Sequence, residues 1–398
     1  MPLSTQLARA REATGYSQEQ AAAALGVNRA MVSYWESGSR VPNDRQLVAL
    51  ARIYRVTAGQ LQSDEELYPR LDLANMMFRS EAGIPESARP GIQDFISFLD
   101  TYAKLASETG TRIHGLAASP FINRSEFTSG EDVRRKAEAV RSHLRLGIGP
   151  ISDIDWVCEM LGVTVFRAEL GSDLKTVPSG VFVKHQDVGF SVLVNLSMTP
   201  GRRRFTIAHE LAHALFHSDE KHAYVVSLPT QSPHEKFADA FAGEFLMPAE
   251  GIRGFMEENG MGRTIVDPSE VIHLQRYFKV SFPTALLRLR QLRILSSHLF
   301  NDYKRIRPVL LARSLGYEVD GEEIVQNPDT WRVIRFPRRF IQMLRNAIMH
   351  DVLSVSTASS ITGLTIDEVA ALLEIQSEST TDPLIGREIA EYEDSLAV

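Results

Sequence analysis

Phe205 to Ser218 reads F-T-I-A-H-E-L-A-H-A-L-F-H-S, and His209-Glu210-Leu211-Ala212-His213 within it forms an H-E-x-x-H motif. Residues four apart on a helix share a face, so His209 and His213 can hold one cation between their rings. Glu210 lies one step round the helix. From there it can act as a general base on a water held by that cation without being a ligand. Phe205, Ile207, Ala208, Leu211, Ala212, Leu215 and Phe216 fall at helical spacing, which predicts a helix buried on most sides. Two histidines in such a helix need partners. Without a metal, the pair reads as buried histidines satisfied by hydrogen bonds.

The third ligand decides the class of site. A long motif would continue H-E-x-x-H-x-x-G-x-x-H. Here Phe216 stands at the glycine position and Asp219 at the last one. Phe216 does not allow the sharp turn that glycine permits. The other route is a carboxylate from a second helix, as in sites of two His and one Glu. Residues 232–248 read S-P-H-E-K-F-A-D-A-F-A-G-E-F-L-M-P. Ser232 suits an N-cap, Pro233 the first helical position and Pro248 the end. Glu235 and Asp239 share a face. Glu235 also stands where a capping-box glutamate would reach back to Ser232, and Asp239 can orient a ligand histidine from behind.

H-E-L-A-H followed by E-x-x-A-D-x-F-A-x-x-F-L-M-P resembles the ImmA/IrrE family of bacterial metallopeptidases, over about residues 130 to 295. The resemblance implies His209, His213 and Glu235 as metal ligands and Glu210 as catalytic base. It implies Zn2+, with Mn2+ tolerated by the same imidazole and carboxylate donors. Phe245 stands where leucine is commoner in the family, a change of similar bulk. His217, His234 and Tyr224 are nearby candidates to support a ligand or stabilise an oxyanion, and the sequence does not choose among them. Arg202, Arg203 and Arg204 are read as preceding the active helix, where they either hold acidic substrate groups or form a solvated helix start.

Up to residue 62 there are seven Lys and Arg against four Asp and Glu. The segment reads as five short helices, with Ser17 capping the second, Gly26 turning into the third and Gly38 ending the third. Val32 and Trp35 are the inward residues of helix three. Thr57 is read as the cap of the fifth helix. The run S-Q-E-Q-A-A-A-A-L-G-V-N-R-A-M-V-S-Y-W-E-S-G-S-R-V-P resembles the Cro and phage-repressor (XRE) helix-turn-helix family. That resemblance implies an operator in double-stranded DNA. Asn28, Arg29, Ala30, Ser33 and Tyr34 would face base edges, while Gln18 and Arg40 would touch the backbone. Arg29 can read guanine through a two-pronged hydrogen bond. Such domains bind as pairs, so a homodimer is expected. The bland alternative is a five-helix bundle used for protein contacts.

Hydrophobic content of 44% and charge of 23% fit a globular chain rather than a disordered one. The single cysteine, Cys158, rules out an intramolecular disulfide and a cysteine metal cluster. No apolar run approaches the length of a membrane span, and the N-terminus lacks the apolar core of a signal peptide, so a cytoplasmic location is expected. The net charge of −7 argues against a chain that coats nucleic acid throughout.

Four regions follow: a helix-turn-helix domain at 1–65, a helical linker or dimerisation region at 66–129, the metallopeptidase-like core at 130–296, and a helical C-terminal region, a candidate sensor, at 297–398. The polar joint 63–66 leads into helices expected at 71–81 and 92–109, the second with Phe95, Phe98, Leu99 and Tyr102 on one side. Residues 119–129 read as a loop. Helices are expected at 131–144 and 152–161, and strands near 163–167, 180–183 and 190–195. Such strands suit an edge beside the cleft that takes a peptide by main-chain pairing. Val271 to Leu295 reads as a helix pair that closes the core. The fold class is therefore mostly α with a small mixed β-sheet: an N-terminal five-helix bundle, an α+β core that the resemblance makes zincin-like, and a helical C-terminal region.

Between Lys279 and Arg345 there are 13 Lys and Arg against six Asp and Glu. Phe300, Tyr303, Trp331, Phe336 and Phe340 are interleaved with them. This suits single-stranded nucleic acid, and equally a basic surface over an ordinary core. A further helix pair with Thr365 as cap lies in 341–373, and the acidic last twenty residues read as frayed.

The function expected is a DNA-binding regulator with a metal-dependent endopeptidase domain. The resemblance implies limited cleavage of a repressor-type protein, this chain or a partner, in a stress or DNA-damage response. The alternative is a non-proteolytic repressor or antitoxin whose peptidase-like domain binds a ligand or partner. The intact Glu210 favours the first, since a structural zinc site needs no base and tends to be closed by four protein ligands.

Overall fold

The computed structural model describes residues 2–13, 16–54, 56, 58–62, 85–113, 130–173, 176–185, 187–217, 224–226, 232–318 and 335–374. Expectations for Thr57, 63–66, 71–81, 119–129, Trp331 and the last twenty residues lie outside them.

Five helices open the chain: α1 (Leu3–Ala13), α2 (Gln18–Leu25), α3 (Arg29–Glu36), α4 (Asp44–Ile53) and α5 (Ala58–Gln62). Local chemistry sets their limits. Ser17 and Gln20 form a reciprocal capping box on α2, and Asn43 and Gln46 form one on α4. Gly26, at φ 66°, supplies the left-handed residue that turns α2 into α3. Leu7, Val32, Trp35, Leu50 and Tyr54 fill a core of their own. Across it, Glu36 takes Arg11 Nε at 2.6 Å and Gln18 Nε2 at 3.0 Å.

A 20-residue helix, α6 (Arg89–Glu108), follows, then α7 (Gly130–His143) and α8 (Ile154–Met160). The sheet comprises β1 (Thr164–Ala168), β2 (Gly180–His185), β3 (Gly189–Asn195) and β4 (Tyr224–Val226) in the order β1-β3-β2-β4. β1 runs parallel to β3, with Phe166 opposite Leu193, and the other pairs are antiparallel. Between β3 and β4 stands α9 (Pro200–Phe216). After them come α10 (Pro233–Leu246), α11 (Ala249–Glu258), α12 (Pro268–Phe278), α13 (Phe282–Gln291), α14 (Ser297–Tyr303) and α15 (Pro308–Ser314). The last three are α16 (Arg338–Met349), α17 (Val355–Thr362) and α18 (Ile366–Glu374). Among the described residues no helix is long and apolar enough to cross a membrane.

Strand alternation divides the interior in two. Val165, Phe182, Val192 and Val194 face α9 and α10, in the core that also takes residues from α12 to α15. Phe166, Val181, Val183 and Leu193 face the other way, against α6 and α16 to α18. The side of α6 bearing Phe95, Phe98, Leu99 and Tyr102 is therefore buried within the chain. Phe98 stacks on Phe166 at 4.6 Å and meets Phe340 edge-on at 5.2 Å.

Among the described residues this packing leaves no exposed aromatic platform of the kind expected for single-stranded nucleic acid. Phe336 and Phe340 are core residues, Tyr303 is 6% exposed, and half-buried Phe300 lies 4.0 Å beneath the Arg290 guanidinium. Alternation of aromatics with charges here marks helices with one buried side.

Candidate active site and DNA interface

Two helices build the site. α9 begins at Pro200, with Thr199 at its N-cap, so Arg202, Arg203 and Arg204 lie inside its first turns rather than before them. α10 starts where Ser232 Oγ accepts from the Glu235 amide at 3.2 Å. Its far end is pinned by two buried arginines. Arg141 donates to the Phe245 carbonyl at 2.5 Å, and Arg288 donates to the Met247 carbonyl at 3.0 Å while pairing with Glu244. These bonds take up carbonyls that the helix leaves unpaired.

The Glu235 side chain does not complete a capping box. Its oxygens lie 3.1 Å from His209 Nε2 and 3.4 Å from His213 Nε2. The two Nε2 atoms are 3.2 Å apart. Tetrahedral donors at bonds of about 2.0–2.1 Å stand about 3.4 Å from one another. The donor set is therefore the right size and chemistry for a divalent cation, and its ligand atoms all lie within 4.8 Å.

Each imidazole is oriented from behind. His209 Nδ1 donates to Asp239 Oδ1 at 2.9 Å, and the Nδ1 atoms of His213 and His217 share a hydrogen bond at 3.0 Å. His234 packs edge-on against His217 at 4.5 Å. Burial opposes charge on His209, but hydrogen bonds to Asp239 and Glu235 and the nearby Glu210 outweigh it and push its pKa up to about 10. Burial, joined by His213 and His234, pulls His217 down to about 3, so it stays neutral and can accept. Burial also opposes charge on Glu235, yet hydrogen bonds from the two histidines draw its carboxyl down to about 2.

Glu210 is fully buried. It faces β2 at Gly180, where an added β-carbon would sit 2.9 Å from Glu210 Oε1 and 2.7 Å from Thr206 Cγ2. Sequence reading passed over Gly180. Its only signal is a glycine opening a run that otherwise reads as strand. Of the three expected strands, β2 and β3 are inner ones: the sheet ends at β1 on one side and, beyond β2, at Tyr224–Val226 on the other. The Tyr224 side chain lies outside the described residues.

On the N-terminal bundle, Arg29, Ala30 and Tyr34 are exposed on α3, Ser33 is half-buried, and Val32 and Trp35 point inward. Asn28 spends its side-chain oxygen capping the Met31 amide, which leaves its amide group facing outward. Gln18 is held by Glu36, and Arg40 lies 5.4 Å over the Tyr34 ring.

Comparison with known proteins agrees with both halves. Residues 158–290 match the family model of the IrrE N-terminal-like domain, Peptidase_M78, and residues 7–61 match a helix-turn-helix model. The HTH-type transcriptional activator BcrR of Enterococcus faecalis is 35% identical over 75 residues, covering 19% of this chain and 37% of that relative. The chain thus spans little more than a third of that relative's length. Taken with the turn at Gly26 and the two-helix triad, these matches show a helix-turn-helix DNA-binding domain of the XRE type joined to an IrrE/ImmA-like peptidase-family domain.

Proposed function

We propose that this chain is a transcription regulator whose second domain is a metal-dependent endopeptidase. The observation that carries the reading is the 3.1–3.4 Å spacing of His209, His213 and Glu235 with the carboxylate of Glu210 on the adjoining helix position. A divalent cation in that set, zinc or manganese, supplies Lewis-acid activation of water and polarisation of the scissile carbonyl. Glu210, shielded from solvent, takes the proton from the attacking water and returns it to the leaving amine. Asp239 and His217 hold the two imidazoles in the tautomers that point Nε2 inward. The outer edge of β4, which no strand of the described residues pairs, would offer main-chain groups to an extended peptide.

The substrate class that suits this reading is a repressor-type protein, this chain or a second copy of a similar regulator. The helix-turn-helix domain then brings the peptidase to an operator as a homodimer, with Asn28, Arg29, Ala30, Ser33 and Tyr34 at base edges and Gln18 and Arg40 at phosphates. Release of a repressor on stress or DNA damage is the expected use.

The test compares wild type with Glu210→Gln, each loaded with Zn2+ or Mn2+, acting on itself and on a helix-turn-helix repressor. Cleavage that disappears in the variant while metal stays bound supports the proposal. Operator binding without proteolysis under either metal favours a regulator whose peptidase-like domain only binds a ligand or partner.

A further inference from the structure

A cavity of about 710 Å³ lies beside α9. None of His209, Glu210, His213 and Glu235 lines it. It lies between the first turns of α9, helix α8, strand β1 and helix α16, and its volume falls within the roughly 300–1,000 Å³ usual for small-molecule sites.

The lining carries six cations against two carboxylates, Asp155 and Glu159, in a chain whose net charge is −7. Three of the cations are partly answered within the protein. Arg167 pairs with Asp155 and Arg338 with Asp153, each at 2.5 Å, and Arg204 donates to the Ile151 carbonyl. Lys279 and Arg345 meet no carboxylate of the described residues, and Arg345 Nε has no hydrogen-bond partner among them.

Two of the six cations, Arg203 and Arg204, stand on α9. Arg202, Arg203 and Arg204 occupy its first turns, which contain no acidic residue, and cations there oppose the helix dipole. Arg203 is 7% exposed, and burial together with the charge of Arg167 pulls its guanidinium down to about 10. Val165, Ile207 and Phe336 add an apolar wall. A cluster of like charges, with Arg203 buried and the others half-buried or at the rim, beside an apolar wall suits a ligand that brings the missing negative charge.

We propose that this cavity binds a small organic polyanion, a molecule with two or more phosphate or carboxylate charges beside an apolar portion. Its occupant would touch α9 at the end opposite the metal ligands. The proposal stands whether or not the chain is a peptidase.

The test is calorimetric titration of the chelator-treated full chain with pyrophosphate, ATP and citrate. The expected result is saturable one-to-one binding of at least one probe, weakened at least tenfold in Lys279→Gln/Arg345→Gln and unchanged in Arg29→Ala/Arg40→Ala. Phosphate or carboxylate as the recognised group follows from which probe binds. Should the double variant melt at a lower temperature, Gln342→Glu, exposed at the rim, is to weaken binding to a similar degree. The proposal is overturned if no probe binds saturably below about 5 mM. It is also overturned if affinity is the same in wild type and the cavity variants, or falls only in the Arg29→Ala/Arg40→Ala protein.

Discussion

Gly180 and Glu210 are in close approach: the bare α-carbon of β2 faces the carboxylate of α9, and a β-carbon there would come within 2.9 Å of Oε1. In Gly180→Ala the carboxylate or the strand must move. Peptide cleavage is expected to fall at least tenfold, at an overpacking cost of about 1–3 kcal/mol in stability. Metal content should stay near wild type, because no ligand is touched. Cleavage assays alongside metal analysis check this, and wild-type turnover in the variant would show that Glu210 needs no such space.

Asp239 is expected to matter through His209. Asp239→Ala removes the acceptor at 2.9 Å and should weaken zinc binding by roughly 10–100-fold. Asp239→Asn keeps an acceptor and should lose less. Competition with a chromophoric chelator measures both, and equal loss in the two variants would point to charge rather than orientation.

Metal loading should release protons. In the metal-free protein His209 is raised from 6.5 to about 10, so at neutral pH a cation displaces about one proton from it. Calorimetry in two buffers of different ionisation heat measures this, and affinity should climb as pH rises. The same shifts shape metal-free stability. The His209 contribution is full below about pH 6.5 and is lost as pH rises through 10. His217, lowered to about 3, contributes above about 6.5 and loses its contribution as pH falls. Glu235, lowered to about 2, contributes above about 4.5 and loses its contribution below. Stability from these three groups should peak near pH 6.5, and denaturant midpoints at pH 4, 6.5 and 9 provide the test.

The ion pair inside the N-terminal bundle should be costly to break. Arg11 and Glu36 have side chains 12% and 7% exposed. Glu36→Ala removes the carboxylate from a guanidinium that keeps its bond to the Tyr16 carbonyl, and is expected to cost about 3 kcal/mol. A drop in the midpoint of the helix-turn-helix transition, with the metal centre unaffected, is the expected readout.

At the DNA face, Arg29→Ala should cost about 1–3 kcal/mol and relax base preference at one operator position. Arg40→Ala should weaken binding to all sequences alike and reduce the salt slope by about one. Binding isotherms on operator and random duplexes at several salt concentrations separate the two effects.

Elements with a local signature were legible in the sequence. H-E-x-x-H on an apolar helical stripe located α9, and Ser232 with Pro233 located the start of α10. Gly26 and the caps at Ser17 and Asn28 fixed the turn into α3. Features set by tertiary packing were not. α11 carries no clear signature because Gly251 and Gly254 interrupt its helical pattern, although Gly251 lets the helix lie against the Ile148 carbonyl. β4 is three residues long and carries too little alternation to read. Thr199 and Pro200 were the available signals that α9 takes in the three arginines. Phe336 and Phe340 looked like a nucleic-acid surface because one sequence cannot tell which side of a helix a sheet will cover.

The sheet has one further consequence. α6 precedes the matched segment 158–290 and α16 to α18 follow it, yet all of them close over Phe166, Val181, Val183 and Leu193. A fragment trimmed to that segment would leave these side chains facing water, a patch that invites self-association. The piece that can pass intact between proteins by recombination is therefore longer than the segment on both flanks, with its N-terminal and C-terminal helices inherited together or not at all.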